Sequence, residues 1–139
     1  MSNTFSGVGN LGAAPVFRRV TVDGQDRCVV EMRVYFDRSV PHDDGTFADA
    51  GGFWLSVSLW GRRAESAARV LRKGARVQVE GTLREDAWEE EDGTRRAALR
   101  LIGHRIGLDP LGLESVLYRR RMPPGGDPTV TNRDEPDEL

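Results

Sequence analysis

The chain has 139 residues, of which 38% are hydrophobic and 30% charged, and its formal net charge is −2. These values are typical of one soluble globular domain with at most a short tail. No apolar run approaches the roughly 18 residues of a membrane-spanning helix, and the N-terminus lacks the features of a secretory signal. The single cysteine, Cys28, excludes an intrachain disulfide. We therefore expect a cytoplasmic protein in which Cys28 is a small, buried hydrophobic residue.

The negative charge is concentrated at the C-terminal end of the chain. Residues 1–109 contain 16 basic and 16 acidic side chains, whereas residues 110–139 contain 4 and 6. Lys73 is the only lysine among the 20 basic residues. Arginine binds phosphate through paired N–H groups and stacks on aromatic rings, so this bias is compatible with nucleic-acid binding. The codon usage of a GC-rich genome explains it equally well.

The first half of the chain alternates between apolar and polar residues, which indicates β-strands. Residues 8–22 predict one first strand, which is bent by the glycines and the proline within it. After a turn signal at Asp23 and Gly24, residues 27–36 form the second strand. A polar, turn-rich hairpin loop spans residues 37–51, and residues 53–60 form the third strand.

One helix and two further strands follow. Residues 62–72 carry alanine and leucine at helical spacing, and Gly74 is placed to cap the C-terminus of the helix. Residues 75–83 and 96–108 alternate again and predict the fourth and fifth strands, with an acidic hairpin loop over residues 85–94. Five strands with a helix between the third and the fourth are the element order of the all-β OB-fold, a five-stranded barrel.

The periodic pattern fades after Pro110. We therefore assign the OB-fold domain to residues 1–110. Residues 111–139 are rich in proline, glycine and charge, which predicts a disordered, flexible C-terminal tail with an acidic end.

The third strand separates its aromatic residues from its aliphatic ones. Leu55, Val57 and Leu59 share one face, and Trp54 and Trp60 share the other with two serines between them. If the aliphatic face fills the barrel, the tryptophans face solvent, where an indole stacks on any base with about 1–3 kcal/mol. The alternative is that both indoles belong to the core.

Five aromatic residues are candidates for stacking on bases. Trp88 follows a charged segment near the tip of the predicted acidic hairpin, where core packing explains an indole poorly; contact with a neighbouring subunit is the alternative there. The candidates are Trp54, Trp60, Trp88, Tyr35 and Phe53.

Nine basic residues are candidates for phosphate contacts. Arg62, Arg84 and Arg96 are the strongest candidates because each lies close to an aromatic residue on a predicted binding face. For any one of the nine, the alternative is a solvated surface position without a role in binding. The nine are Arg33, Arg62, Arg72, Lys73, Arg76, Arg84, Arg95, Arg96 and Arg100. Arginine and tryptophan on one sheet predict a surface for single-stranded nucleic acid.

No set of residues predicts catalysis. His42 and His104 are far apart and lack cysteine or carboxylate partners at the spacing of metal ligands. The sequence has no phosphate-binding loop of the Walker type and no nucleophile elbow. We expect no metal, no cofactor and no enzymatic activity.

Three separated segments resemble those of one known family. They are GNLGAAP at residues 9–15, GRRAE at residues 61–65 and VLRKGARVQVEGTLR at residues 70–84. In this order and spacing they make residues 8–108 similar to the bacterial single-stranded DNA-binding proteins. Trp88 stands where that family has its late tryptophan.

The resemblance implies an OB-fold protein that binds and protects single-stranded DNA without strong sequence preference, during replication, recombination or repair. It implies a cytoplasmic, nucleoid-associated homotetramer, and the glycine-rich first strand is the candidate edge for subunit pairing. The acidic end, from Asp134 to Leu139, is the candidate segment for recruiting replication and repair proteins.

The sequence also departs from the family. Residues 38–40 contain no aromatic side chain where the family has a base-stacking one, and Leu55 stands where histidine is frequent. Together with the near-neutral charge, these departures leave open an OB-fold accessory or interaction subunit, primosome-like or associated with a mobile element, with weak or no DNA binding. An RNA-binding, cold-shock-like protein is a second alternative.

Overall fold

The computed structural model describes residues 3–41 and 43–120. His42 and residues 121–139, with the acidic end from Asp134 to Leu139, lie outside them. The elements in chain order are β1 (Thr4–Leu11), β2 (Val16–Val22), β3 (Gln25–Pro41), β4 (Phe47–Trp60), α1 (Arg62–Val70), β5 (Arg76–Glu89) and β6 (Arg95–Leu108), followed by a 3₁₀ turn at Pro110–Gly112. Within these residues, no helix is long and apolar enough to cross a membrane.

The six strands form one sheet in the order β1–β5–β6–β4–β3–β2. An additional pairing of β1 with β3, where Gly9 lies opposite Phe36, joins β1, β5, β6, β4 and β3 into a closed ring. β2 extends the sheet from β3. The parallel contact of β4 with β6 is short and runs from Ser56 to Ser58.

The predicted single first strand over residues 8–22 is wrong, because two strands occupy this region. β1 ends at Leu11 and β2 begins at Val16. Between them, the Gly12 amide donates to the Arg33 carbonyl at 2.9 Å, and Pro15 has no N–H group to continue a ladder. The fold therefore has six strands instead of five, and α1 lies between β4 and β5.

The helix ends two residues earlier than predicted. Leu71 adopts an extended backbone with φ −89° and ψ 150°, and its side chain is buried in the core. Gly74 does not cap the helix. It has a φ of 87° within the following turn, where the Ala75 amide donates to the Arg72 carbonyl.

Strands extend into both predicted hairpin loops. β3 continues to Pro41 and β4 begins at Phe47. β5 continues to Glu89 and pairs with β6 from Arg95 onward. Side chains from 84 to 99 are exposed on both faces of this β5–β6 hairpin. Since neither face is buried, the polar composition signalled a loop although the backbone is paired. We call the hairpin over residues 84–100 the arm.

The aliphatic face of β4 fills the interior, as predicted. Leu55, Val57 and Leu59 are 3%, 1% and 0% exposed, and each buried side chain of this size contributes about 1.5–3 kcal/mol. Ala64 of α1 packs into the same core. Cys28 is only half-buried and lies with its Sγ 3.7 Å from Glu65, so the prediction of a fully buried cysteine is wrong.

Candidate nucleic-acid interface

Strand pairing places the outward side chains of five strands on one face. Trp54 of β4 lies opposite Tyr35 of β3, and Ser56 lies opposite Arg100 of β6, which in turn lies opposite Arg84 of β5. We call this surface the tryptophan face. Its members are Val16, Arg18 and Val20 on β2; Arg27, Val29, Glu31, Arg33 and Tyr35 on β3; Trp54, Ser56, Ser58 and Trp60 on β4; Thr82, Arg84, Asp86 and Trp88 on β5; and Arg96, Ala98, Arg100 and Ile102 on β6.

Trp54 lies at one end of the tryptophan face and is 49% exposed. The guanidinium of Arg33 lies 5.5 Å from the centre of its ring, within the range of a cation–π contact. The ring of Tyr35 lies 5.3 Å away at an angle of 56°. Gly12 approaches the indole so closely that a Cβ there would lie 2.6 Å from it. These contacts fix the orientation of the indole and leave half of it open to a ligand.

Trp60 lies at the other end of β4 and is less exposed than Trp54. It stands opposite Val29, which is only 2% exposed. The guanidinium of Arg27 lies 5.6 Å from the indole centre. Trp60 is therefore a half-buried ring on the outer surface, not a core residue.

Trp88 belongs to a strand and not to a loop. It lies on the arm opposite Arg96 and is 48% exposed. A large, half-exposed ring on a two-stranded arm gains little burial from the core, so about half of the indole is accessible to solvent.

The arginines of the tryptophan face fall into two groups. Arg18, Arg96 and Arg100 each contact a carboxylate, the shortest contacts being 2.8, 3.1 and 3.1 Å. The other three, Arg27, Arg33 and Arg84, have no carboxylate within ion-pair distance among the described residues. Arg33 donates to the Ser56 hydroxyl at 3.1 Å. The second group offers N–H groups to an incoming anion without breaking an ion pair.

Phe53 and Arg95 lie on the side of the sheet away from the tryptophan face. Phe53 is opposite Phe36, and its ring contacts Phe5 and Phe36 with centroids 5.8 and 5.9 Å apart. It therefore extends the interior, although it is 48% exposed. Arg95 precedes Arg96 in the same strand, so its side chain points to the reverse side of the arm.

Three other candidates flank the barrel around α1. Arg62 begins α1 and lines a groove of about 510 Å³ together with Val70 and Leu108. Arg72 and Lys73 lie in the turn after the helix and are exposed. The Gly74 amide of this turn donates to the Leu11 carbonyl at 2.8 Å. The turn therefore adjoins the end of β1, next to Gly12, which lies against the Trp54 ring.

The sequence matches the Single-strand binding protein family over residues 2–109. The chain belongs to this family.

Its relatives share about a third or less of their residues with it. It is 26% identical over 99 residues to single-stranded DNA-binding protein 1 of Clostridium acetobutylicum, covering 71% of this chain and 86% of that protein. It is 32% identical over 105 residues to the single-stranded DNA-binding protein of Mycobacterium leprae, covering 75% and 61%. The matched region is thus most of one relative and less than two thirds of the other.

Solved structures show the same fold. The small single-stranded DNA-binding protein from Streptomyces coelicolor superposes with a TM-score of 0.66 at 23% identity, covering 81% of this chain and 98% of that one. A deletion mutant of the single-stranded DNA binding protein from Thermus aquaticus gives 0.57 at 23% identity, covering 76% and 49%. The predicted OB-fold is confirmed.

Arg76 is part of the scaffold in this family member. Its two Nη atoms bind both carboxylate oxygens of Asp37 at 2.7 and 3.0 Å, and Nη1 also donates to Asn10 at 2.6 Å. The hydrogen bond from Arg76 holds the pKa of Asp37 below its ordinary value, although desolvation opposes the shift. The same bond raises the pKa of Arg76. This network ties β1, β3 and β5 together and occupies the guanidinium.

The sequence predictions missed two arginines of the tryptophan face, Arg18 and Arg27. Arg27 has the same strand parity as Arg33, so the alternation of β3 was a usable signal. Arg18 had no such signal, because β2 was not recognised as a separate strand. Its position follows from the pairing of β2 with β3, where Arg18 lies opposite Val29.

Proposed function

We propose that this protein binds and protects single-stranded DNA without strong sequence preference. The observation that carries the proposal is the half-exposed indole of Trp54, which lies on the same outward face as Arg33 and Tyr35. An aromatic platform suits a nucleotide when it lies beside a guanidinium with no carboxylate partner among the described side chains, since the base stacks and the phosphate is neutralised.

The proposed mechanism combines stacking with phosphate contacts. Bases stack on Trp54, Trp60 and Trp88, and Tyr35 widens the first of these platforms. Stacking is tolerant of sequence because every base has a π-face. Phosphates contact the arginines of the tryptophan face, which position the strand and carry no sequence information.

The basic residues around α1 extend this path in the proposal. Arg62 follows Trp60 after a single residue, and the turn with Arg72 and Lys73 adjoins the strand end next to Trp54. Phe53, Arg76 and Arg95 are left out. The ring of Phe53 faces the interior cluster, the guanidinium of Arg76 is occupied, and Arg95 lies on the reverse side of the arm.

We also propose that the protein works as a homotetramer. One edge of β1 supports subunit pairing, because within the described residues no strand pairs with it from Thr4 to Val8. Exposed apolar side chains after β6 support burial against another copy; Leu111, Leu117 and Tyr118 are 94%, 96% and 85% exposed. Several weak sites in one assembly raise the effective concentration of the protein on a strand.

The cellular role belongs to the same proposal. A protein of this kind serves replication, recombination or repair in the cytoplasm, associated with the nucleoid, and acts by binding, without catalysis. Recruitment of replication and repair proteins through the acidic end, from Asp134 to Leu139, remains a prediction from the sequence.

One observation favours a second candidate, an OB-fold interaction subunit with weak DNA binding. Three arginines of the tryptophan face, Arg18, Arg96 and Arg100, are already paired with carboxylates. A surface neutralised in this way attracts phosphates less than an unpaired one.

Tryptophan fluorescence separates the two candidates. Titration of the full chain with oligo(dT) at low salt should quench the emission strongly, and added salt should reverse the quenching because counterions are released on binding. Duplex DNA of equal length is the control and should quench little. Competition with a matched RNA strand tests the preference for DNA. Absence of quenching by oligo(dT) at low salt would favour the interaction subunit.

A further inference from the structure

Four charged side chains form a continuous chain across the centre of the tryptophan face. Asp86 Oδ2 of β5 lies 3.1 Å from Arg100 Nε of β6. Arg100 Nη1 lies 3.8 Å from Glu31 Oε2 of β3. The other oxygen of Glu31 lies 2.8 Å from Arg18 Nη2 of β2. Acid and base alternate along this charge chain, so its formal charges cancel.

The charge chain crosses β4 between its two tryptophans. Glu31 lies opposite Ser58, and Arg100 lies opposite Ser56. Serine is short, so the side chains of Glu31 and Arg100 meet above β4 where a larger residue would separate them. A strand of nucleic acid that stacks on both Trp54 and Trp60 must pass over this point.

Asp86 also relieves a repulsion on the arm. Arg100 lies directly opposite Arg84, and like charges at directly opposite strand positions destabilise a sheet. Asp86 binds the Arg100 guanidinium on its Nε side, which leaves Arg84 as the unpaired cation of the two within the described residues.

We propose that Glu31 and Asp86 limit the affinity of the tryptophan face for single-stranded DNA by holding Arg18 and Arg100; this role rests on the proposed function. A phosphate that approaches Arg100 competes with two carboxylates for its guanidinium, whereas a phosphate that approaches Arg84 competes with none among residues 3–41 and 43–120.

Amide substitutions test this role in the full chain. Glu31→Gln and Asp86→Asn keep the shape of each side chain and free Arg18 or Arg100. Each substitution should tighten binding of fluorescein-labelled oligo(dT) about two- to fivefold, the range set by exposed ion pairs. Each should also steepen the salt dependence by about 0.7 in the log–log slope, the value for one added phosphate contact to a single strand.

Glu85→Gln is the matched control. Glu85 neighbours Asp86 but lies opposite Leu99 on the reverse side of the arm, is exposed, and makes no ion pair within the described residues. Glu85→Gln removes one negative charge, as Asp86→Asn does, and should change the affinity and the salt slope little. The double variant Asp86→Asn/Arg100→Gln should show no gain over Arg100→Gln alone, because the freed cation is missing.

Unchanged or weaker binding of both Glu31→Gln and Asp86→Asn, relative to Glu85→Gln, would overturn the inference. So would a gain that persists in the Arg100→Gln background. Thermal melts by circular dichroism show whether each variant is folded, and Asp86 on the exposed arm provides the test if Glu31→Gln is unstable. A wild-type chain that does not bind oligo(dT) at low salt would contradict the proposed function itself, and the inference with it.

Discussion

At the scale of single residues, Gly12 controls how the Trp54 indole lies on the surface. A Cβ at Gly12 would lie 2.6 Å from the ring carbon Cζ3, far inside van der Waals contact. Gly12→Ala should therefore displace the indole and weaken binding of oligo(dT), by no more than the roughly 1–3 kcal/mol that one stack contributes. Fluorescence titration measures the affinity, and the emission maximum of the free protein reports the displaced ring.

Gly107→Ala is the control for this substitution. A Cβ at Gly107 meets nothing within 4 Å, so this variant should bind like the wild type. Equal affinities of the Gly12 and Gly107 variants would show that the position of Trp54 does not matter for binding.

At the scale of elements, the arm should contribute to binding and little to stability. Trp88 is 48% exposed and the arm carries no buried residue from 84 to 99. Trp88→Ala should weaken binding by about 1–3 kcal/mol and leave the melting temperature almost unchanged. Leu99→Ala, on the reverse side of the arm and 55% exposed, is the control and should retain affinity. A large drop in melting temperature for Trp88→Ala would assign the ring to the scaffold instead.

The Arg76–Asp37 pair, which joins strands of the closed ring, should make the free energy of unfolding depend on pH. The pKa of folded Asp37 lies below its unfolded value because Arg76 donates to it. The pair therefore stabilises the protein fully above a pH of about 4, and this stability is lost as the pH falls through the folded-state pKa. Asp37→Asn should lower the free energy of unfolding by about 1–2 kcal/mol at neutral pH, and by less in acid.

Urea unfolding at neutral and acidic pH measures this difference. Glu80→Gln is the control, because Glu80 is exposed and has no ion-pair partner within the described residues. A deficit for Asp37→Asn that is equally large at both pH values would contradict the assignment of the lowered pKa to this pair.

At the scale of the whole molecule, we expect the open edge of β1 and the apolar segment after β6 to contact other copies of this chain. Sedimentation or light scattering of the full chain at micromolar concentration should give four times the monomer mass. Val8 is half-buried and lies on the open edge of β1. Val8→Lys should shift the assembly to smaller species, since charge on a strand edge prevents pairing. A wild-type monomer at the same concentration would contradict the proposed tetramer.

The sequence predicts a strand most clearly where a long run of residues has one buried face, as in β4. β4 separates Leu55, Val57 and Leu59 from Trp54 and Trp60, so its period of two fixes the strand and the direction of each ring. The arm shows the opposite case. Both of its faces are exposed, so no alternation marks residues 85–89 as strand, and the sequence predicts Trp88 near the tip of a loop.

Other features depend on contacts distant in sequence. The split between β1 and β2 follows from the hydrogen bond of Gly12 to Arg33, which no local pattern encodes. The occupation of Arg76 by Asp37 and the charge chain through Glu31 and Arg100 arise from strand register. Residue type alone predicts Arg76 and Arg100 as phosphate ligands, but only the register distinguishes a guanidinium that contacts a carboxylate from one that does not.

A comparison of Trp54→Ala with Phe53→Ala tests the central claim most directly. The two residues are adjacent in β4 and nearly equally exposed, at 49% and 48%, but they point to opposite faces. Anisotropy of labelled oligo(dT) at low salt should show a loss of about 1–3 kcal/mol for Trp54→Ala and wild-type affinity for Phe53→Ala. Wild-type affinity for Trp54→Ala, with the loss in Phe53→Ala instead, would contradict binding on the tryptophan face.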